Sequence, residues 1–288
     1  MHHRRAAHAT GAKPSRAETS FKQSGADLLK TERIDMGWGH LAYRRAGSGV
    51  PWVLVHPLAL SGRLWEPFLA ELLPGHDLVM PDLRGHGESN WDGSAFSIGD
   101  MADDLRDLLD VLGIERCHML GMSMGGSVAM TFASRYRTRL DRLMLCDTTA
   151  WYGENAKTTW DERAQAARSK TRGEQLPFQT VRWFSDAFQA QHQEIVKHVC
   201  EIFTGTKREA HAQACLAMGA LDMRQRLAEI DVPTLVVTGE EDYATPPSMG
   251  EALAQGIRGA RFELWPATRH MAVVESASLR AELMKFAS

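Results

Sequence analysis

The sequence predicts an α/β protein: a mostly parallel sheet flanked by helices, with a helical lid inserted between two of its strands. Three observations predict it. Apolar runs of strand length alternate with amphipathic stretches of helix length, the rhythm of parallel strands joined by crossover helices. The strand-like runs are continuous rather than alternating, as in Val53-Leu54-Val55 and Leu143-Met144-Leu145, which suits strands covered on both faces. The rhythm breaks after residue 148 and resumes only after 230, so the residues between lie outside the sheet.

In chain order, Glu32 to Met36 and His40 to Arg45 alternate around Gly37-Trp38-Gly39 and read as a β-hairpin. Gly47-Ser48-Gly49 is a turn, and Pro51 to His56 is a fully buried strand. Arg63 to Leu73 is amphipathic and closes at Pro74-Gly75. Asp77 to Pro81 is the next strand and runs into Asp82-Leu83-Arg84-Gly85-His86-Gly87-Glu88-Ser89. Ile98, Met101, Leu105, Leu108, Leu109 and Leu112 recur at helical spacing. A short apolar strand from Cys117 then leads into a glycine-rich turn and a second apolar helix, and Leu140 to Cys146 is a further strand. From Thr148 to Ile230 there are helical patterns rich in aromatics and no strand. Thr234 to Thr238, a helix from Pro247 to Ile257, the strand Arg261 to Trp265 and a helix from Ser276 to Phe286 close the chain. The expected organisation is a disordered leader over 1–30, a core of 31–147 and 231–288, and a lid over 148–230.

Composition narrows the function. With 288 residues, 44% of them apolar, the chain has material for a sizeable core, and a net charge of -3 offers no basic field for nucleic acid. No apolar run reaches membrane-spanning length, and the leader lacks the apolar segment of a secretory signal. His2, His3 and His8 belong to that leader and are not read as metal ligands. Cys117, Cys146, Cys200 and Cys215 are scattered without a Cys-x-x-Cys pair, as expected for reduced core residues of a cytoplasmic protein.

The chemistry centres on Gly121-Met122-Ser123-Met124-Gly125-Gly126, placed between a strand and a helix. A serine on so sharp a turn needs neighbours without side chains two residues away on either side. The first N–H groups of the following helix then point to where an oxyanion would form. In open parallel sheets, functional groups gather beyond the carboxyl ends of strands. Here those positions hold His56, Asp82, Ser123, Asp147, Asp242 and His270. A serine hydroxyl needs a base, and that base needs a third group to hold its tautomer, which a histidine and a carboxylate supply.

Asp82-x-Arg84-Gly85-x-Gly87-x-Ser89, the Ser123 turn, Gly239-x-x-Asp242 with Pro246, and His270 before the last helix together resemble the α/β-hydrolase fold family over nearly all of residues 31–288. The resemblance implies a cofactor-independent, metal-free serine hydrolase. Ser123 is then the nucleophile, His270 the base and Asp242, rather than Glu241, the acid. It also implies an oxyanion hole from the N–H of Met124 and that of Leu58, although His56-Pro57-Leu58 departs from the family's usual His-Gly-x. Asp82, Arg84 and Glu88 are read as a structural turn with a buried ion pair. His56, His86 and His118 are read as structural too.

Within the family the chain is similar to 3-oxoadipate enol-lactonases, through the Ser123 motif, Arg182-Trp183-Phe184, the approach Ala217 to Arg224, and Trp160 with Arg163. That likeness implies a small-molecule ester or lactone as substrate, with neither nucleic acid nor membrane as partner, in a monomer or homodimer. Trp160 and Trp183 are candidate pocket residues. Arg269, where a small residue is expected, either binds a substrate carboxylate or pairs with a surface acid. The same fold hosts haloperoxidase-like perhydrolases, C–C bond hydrolases and slow ligand receptors. A serine at the turn argues against dehalogenases and epoxide hydrolases, which use an aspartate there.

Overall fold

A computed structural model describes residues 29–288, so the expected leader lies almost wholly outside the described residues. An eight-stranded sheet, in the order β1-β2-β4-β3-β5-β6-β7-β8, forms the centre. β1 (Glu32–Met36) and β2 (Gly39–Gly47) make the expected hairpin, and β2 runs antiparallel to β4 (His76–Pro81). All other neighbours are parallel: β3 (Val50–Val55), β5 (Cys117–Met122), β6 (Leu140–Cys146), β7 (Thr234–Gly239) and β8 (Arg261–Trp265). Val55 stands opposite Gly121, Met122 opposite Cys146, and Cys146 opposite Val237. This register brings the carboxyl ends of the central strands level with one another, so that the residues just beyond them share one edge of the sheet.

Apolar side chains fill both faces. On one side pack α2 (Ile98–Val111), α3 (Met124–Arg135) and α9 (Pro247–Gly256). On the other lie α10 (Ala272–Glu275), α11 (Ala277–Ala287) and the segment 62–72. That segment departs from a simple amphipathic helix: Gly62–Phe68 is 3₁₀, and only Leu69–Leu72 (α1) is α-helical. Pro67 lacks the N–H that an α-helix would need at that point. The α2 start is fixed by a capping box between Ser97 and Asp100.

Between β6 and β7 lie α4 (Ala156–Ser169), α5 (Arg172–Trp183), α6 (Asp186–Gln191), α7 (Gln193–Gly205) and α8 (Arg208–Gly219). A single bridge between Trp151 and Asp222 pins the two ends of this insertion together. No helix among the described residues is long and apolar enough to cross a membrane. Cys117, Cys146 and Cys215 are buried, whereas Cys200 is only half-buried on α7.

The Asp82 turn is tied by ion pairs, but their partners come from outside it. Asp82 is buried against Arg44 of β2, at 3.2 Å, and accepts the N–H groups of Gly62 and Glu88. Burial pushes its carboxyl up, and Arg44 and the hydrogen bonds only partly offset this. Arg84 instead pairs with Asp104 of α2 at 2.7 Å, where the indole of Trp38 also donates. Removing one partner of a buried ion pair strands the other charge. Arg44→Met is therefore expected to lower the unfolding free energy by about 3–5 kcal/mol, read from urea denaturation.

Candidate active site

Ser123 caps α3 with φ 54°, a left-handed backbone that a non-glycine residue adopts only where the surroundings enforce it. Two glycines permit the close approach this needs. A Cβ on Gly121 would lie 2.3 Å from the Gly125 carbonyl oxygen, and one on Gly125 would lie 2.2 Å from the Val55 carbonyl oxygen. The turn is then locked from β6: Ser123 N–H donates to the Cys146 carbonyl at 2.9 Å, and the Thr148 hydroxyl donates to the Ser123 carbonyl at 2.8 Å.

His270 and Asp242 converge on that hydroxyl. His270 Nε2 is 2.8 Å from Ser123 Oγ, and its Nδ1 is 2.8 Å from Asp242 Oδ2. A carboxylate only accepts, so Nδ1 carries the proton and Nε2 is left to accept from the serine. An imidazole held in that tautomer can take the hydroxyl proton. Asp242 Oδ1 accepts the N–H groups of Ala244 and Thr245, and Oδ2 also accepts the Thr245 hydroxyl. Burial works against the charge on Asp242, but His270 and the Thr245 bonds outweigh it and hold its pKa below the ordinary value. Thr245 gave no signal in the sequence beyond its place beside Pro246.

The two residues expected to supply N–H groups to an oxyanion adjoin the Ser123 turn and the cavity. Leu58 lines the cavity above Ser123, and Met124 begins α3. Neither N–H donates a hydrogen bond to any described residue. The Leu58 loop is held by the fully buried His56, which donates from Nδ1 to the Pro57 carbonyl at 2.7 Å. Its Nε2 accepts the Leu83 N–H at 2.9 Å. The structural histidine thus fixes the loop in which proline replaces the usual glycine.

Asp147, unassigned by the sequence, links the other two parts. Fully buried beyond β6, it accepts the N–H of Gly239 at the end of β7 and that of Ala272, two residues past His270, both at 2.9 Å. It therefore joins the loop bearing Asp242 to the turn bearing His270. Burial, and then the charge of Asp242, push its carboxyl up to about 7.

A cavity of about 320 Å³ opens above Ser123 and His270 under the insertion. Trp160 and Trp183 both line it, together with Tyr152, Arg163 and Arg182. Arg269 does not. Its guanidinium donates to the carbonyls of Val181 and Phe184 and to Asp186 at 3.0 Å, and lies 3.6 Å from Glu241. Those bonds turn it away from the cavity, and they tie the insertion to the His270 turn instead. The same seam carries the His270 and Met271 N–H groups, which donate to the carbonyls of Arg182 and Trp183.

A family model for the alpha/beta hydrolase fold matches residues 51–196. The chain belongs to the α/β-hydrolase family. It is thus a hydrolytic enzyme. Its sequence is 29% identical over 225 residues to a 3-oxoadipate enol-lactonase of Acinetobacter baylyi, covering 77% of this chain and 82% of that one. Its structure is similar to the crystal structure of the enol-lactonase from Burkholderia xenovorans, with a TM-score of 0.83, 30% identity, and coverage of 88% and 99% of the two chains. It is likewise similar to a malate-bound thermophilic esterase from Thermogutta terrifontis, with a TM-score of 0.81, 30% identity, and coverage of 90% and 100%.

Two predictions follow from the supports of the site. Asp147→Ala orphans two buried N–H groups and is expected to cost about 2–5 kcal/mol of stability, with Asp147→Asn milder, as read by urea unfolding. The second concerns acid. Burial holds His56 near a pKa of about 4 and His86 near about 3, against an ordinary value of 6.5. Between those values the unfolded chain binds the extra protons, so stability is lost as pH falls below 6.5. The raised carboxyl of Asp147 works the other way over the same range, so the histidine contribution is read by difference: the melting temperature of His86→Gln is expected to fall less than that of the wild type between pH 7 and pH 4, and an equal fall would contradict a buried neutral His86.

Proposed function

We propose that this hydrolase cleaves a small carboxylic ester or lactone, of the 3-oxoadipate enol-lactone type, through an acyl-enzyme. The Asp242–His270–Ser123 relay, with both contacts at 2.8 Å, carries the reading. Ser123 Oγ attacks the carbonyl carbon while His270 Nε2 takes its proton, and Asp242 stabilises the imidazolium. The tetrahedral oxyanion is held by the N–H groups of Met124 and Leu58, which are free to donate to it. Collapse breaks the bond to the leaving oxygen, which takes the proton from His270. In a lactone that alcohol stays tethered to the acyl group. Water, deprotonated by His270, then attacks the acyl-enzyme and frees the acid.

The helical insertion acts as a lid over the cavity, with Trp160 and Trp183 as walls for the substrate. The lactonase and esterase names of the relatives support acyl transfer to water over the fold's other chemistries.

The test is steady-state hydrolysis of 4-nitrophenyl acetate. Ser123→Ala is expected to lose at least about 10⁴-fold in kcat, and Asp242→Asn about 10³–10⁴-fold, with folding intact by circular dichroism. Turnover retained by Ser123→Ala would refute the nucleophile.

A further inference from the structure

A buried arginine behind the cavity wall fixes the protonation of a histidine in that wall. Arg172, at the start of α5, is buried, and among the described residues it has no carboxylate within 4.0 Å. Its guanidinium stacks over Phe203 at 4.9 Å. It donates from Nη2 to the Thr206 carbonyl at 2.6 Å and from Nη1 to His211 Nδ1 at 2.7 Å. Burial pushes its pKa down to about 10, so it stays charged at neutral pH, and a guanidinium has donors only. His211 Nδ1 must therefore accept, which leaves the ring proton on Nε2.

That proton meets the cavity. His211, on α8, is buried yet lines the same cavity as Ser123 and His270, which Arg172 does not reach. Its Nε2 has no hydrogen-bond partner among the described residues, and it is not closed off as His86 Nε2 is. Burial first, and then the charge of Arg172, push the His211 pKa down to about 3; His86 and Arg163 act in the same direction. The ring is thus an uncharged N–H donor at working pH, polarised by the guanidinium on its other nitrogen. A donor left unpaired in a desolvated wall is unfavourable, so the wall favours an occupant that brings an acceptor. The reacting end is linked to it: the Thr206 hydroxyl donates to the carbonyl of Ala59 at 2.7 Å, one residue past Leu58. Arg172 and Thr206 therefore hold His211 to the loop that offers the second oxyanion N–H.

We propose that His211 is a specificity residue whose Nε2–H donates to an uncharged acceptor on the substrate, a ketone, ether or hydroxyl oxygen apart from the carbonyl that Ser123 attacks. This rests on the hydrolase reading above and adds to it a polar group that the reading leaves open.

Two measurements test the donor. The first compares kcat/KM for 4-nitrophenyl 4-oxopentanoate with that for the pentanoate, and for the 5-oxohexanoate with the hexanoate, each ratio divided by the same ratio for hydroxide hydrolysis. All four esters are uncharged. In at least one pair the oxo ester is expected to be preferred by about tenfold, the scale of one hydrogen bond to a buried donor. In His211→Phe that ratio is expected to fall toward one, and His211→Gln, which keeps an N–H, to recover part of it. Ratios of one in both pairs, or equal losses in His211→Phe on an oxo ester and its alkanoate, overturn the proposal. The second measurement leaves His211 intact and needs no turnover. In Ser123→Ala with nitrogen-15 histidine, the His211 ring is expected to show a bare Nδ1 and a protonated Nε2 from about pH 8 to about pH 5. Its Nε2–H signal is expected to shift saturably with methyl 4-oxopentanoate or methyl 5-oxohexanoate and to stay in place with methyl pentanoate. A proton on Nδ1, or one response to all three compounds, overturns the subsite. Unaltered turnover in Ser123→Ala would instead overturn the nucleophile.

Discussion

The left-handed backbone at Ser123 is the constraint on which the rest of the site depends. A φ of 54° places the hydroxyl clear of the sheet and starts α3 directly behind it. That conformation is costly for a residue with a side chain, on the order of 1–3 kcal/mol, and persists only where neighbours over-determine it. Here the neighbours are backbone. Gly121 and Gly125 have no room for a Cβ, and β6 grips the turn through Cys146 and Thr148. Change the register of β5 against β3 or β6, and the grip is lost.

Around that fixed point the remaining groups are aligned by buried polar residues rather than by apolar packing. His56 ties the β3 loop to the β4 loop, and Asp147 ties the Asp242 loop to the His270 turn. Each satisfies backbone groups that would otherwise be orphaned at strand ends, where sheet pairing stops. The insertion joins the same network: Arg182 and Trp183 accept from His270 and Met271, while Arg269 reaches back to Phe184 and Asp186. The cavity wall and the imidazole are therefore one hydrogen-bonded unit, so changes in α5 should be felt at His270.

Much of this was legible in the sequence because it depends on local pattern. Continuous apolar runs marked the buried parallel strands, the glycines marked the Ser123 turn, and the long strandless stretch marked the insertion. Ser123, Asp242 and His270, which the fold brings within hydrogen-bond distance of one another, stood out because they sit beside strand ends. What the sequence hid depends on long-range approach. Arg44 is far in sequence from Asp82, so the Asp82 turn suggested a pair within itself. The helix pattern over 63–73 concealed the effect of Pro67. Arg269 drew notice for its place beside His270, yet its bonds to the insertion carry it away from the cavity. The arginines that do line the cavity, Arg163 and Arg182, lie on separate helices, and only the fold brings them together there.

The most direct test of the chemistry is covalent trapping. Incubation with a fluorophosphonate, followed by intact-mass and peptide mass spectrometry, is expected to give one adduct per chain on the peptide containing Ser123, in step with loss of esterase activity. Loss of activity with the label on another residue, or full labelling of Ser123 with activity retained, would contradict a nucleophile at the turn.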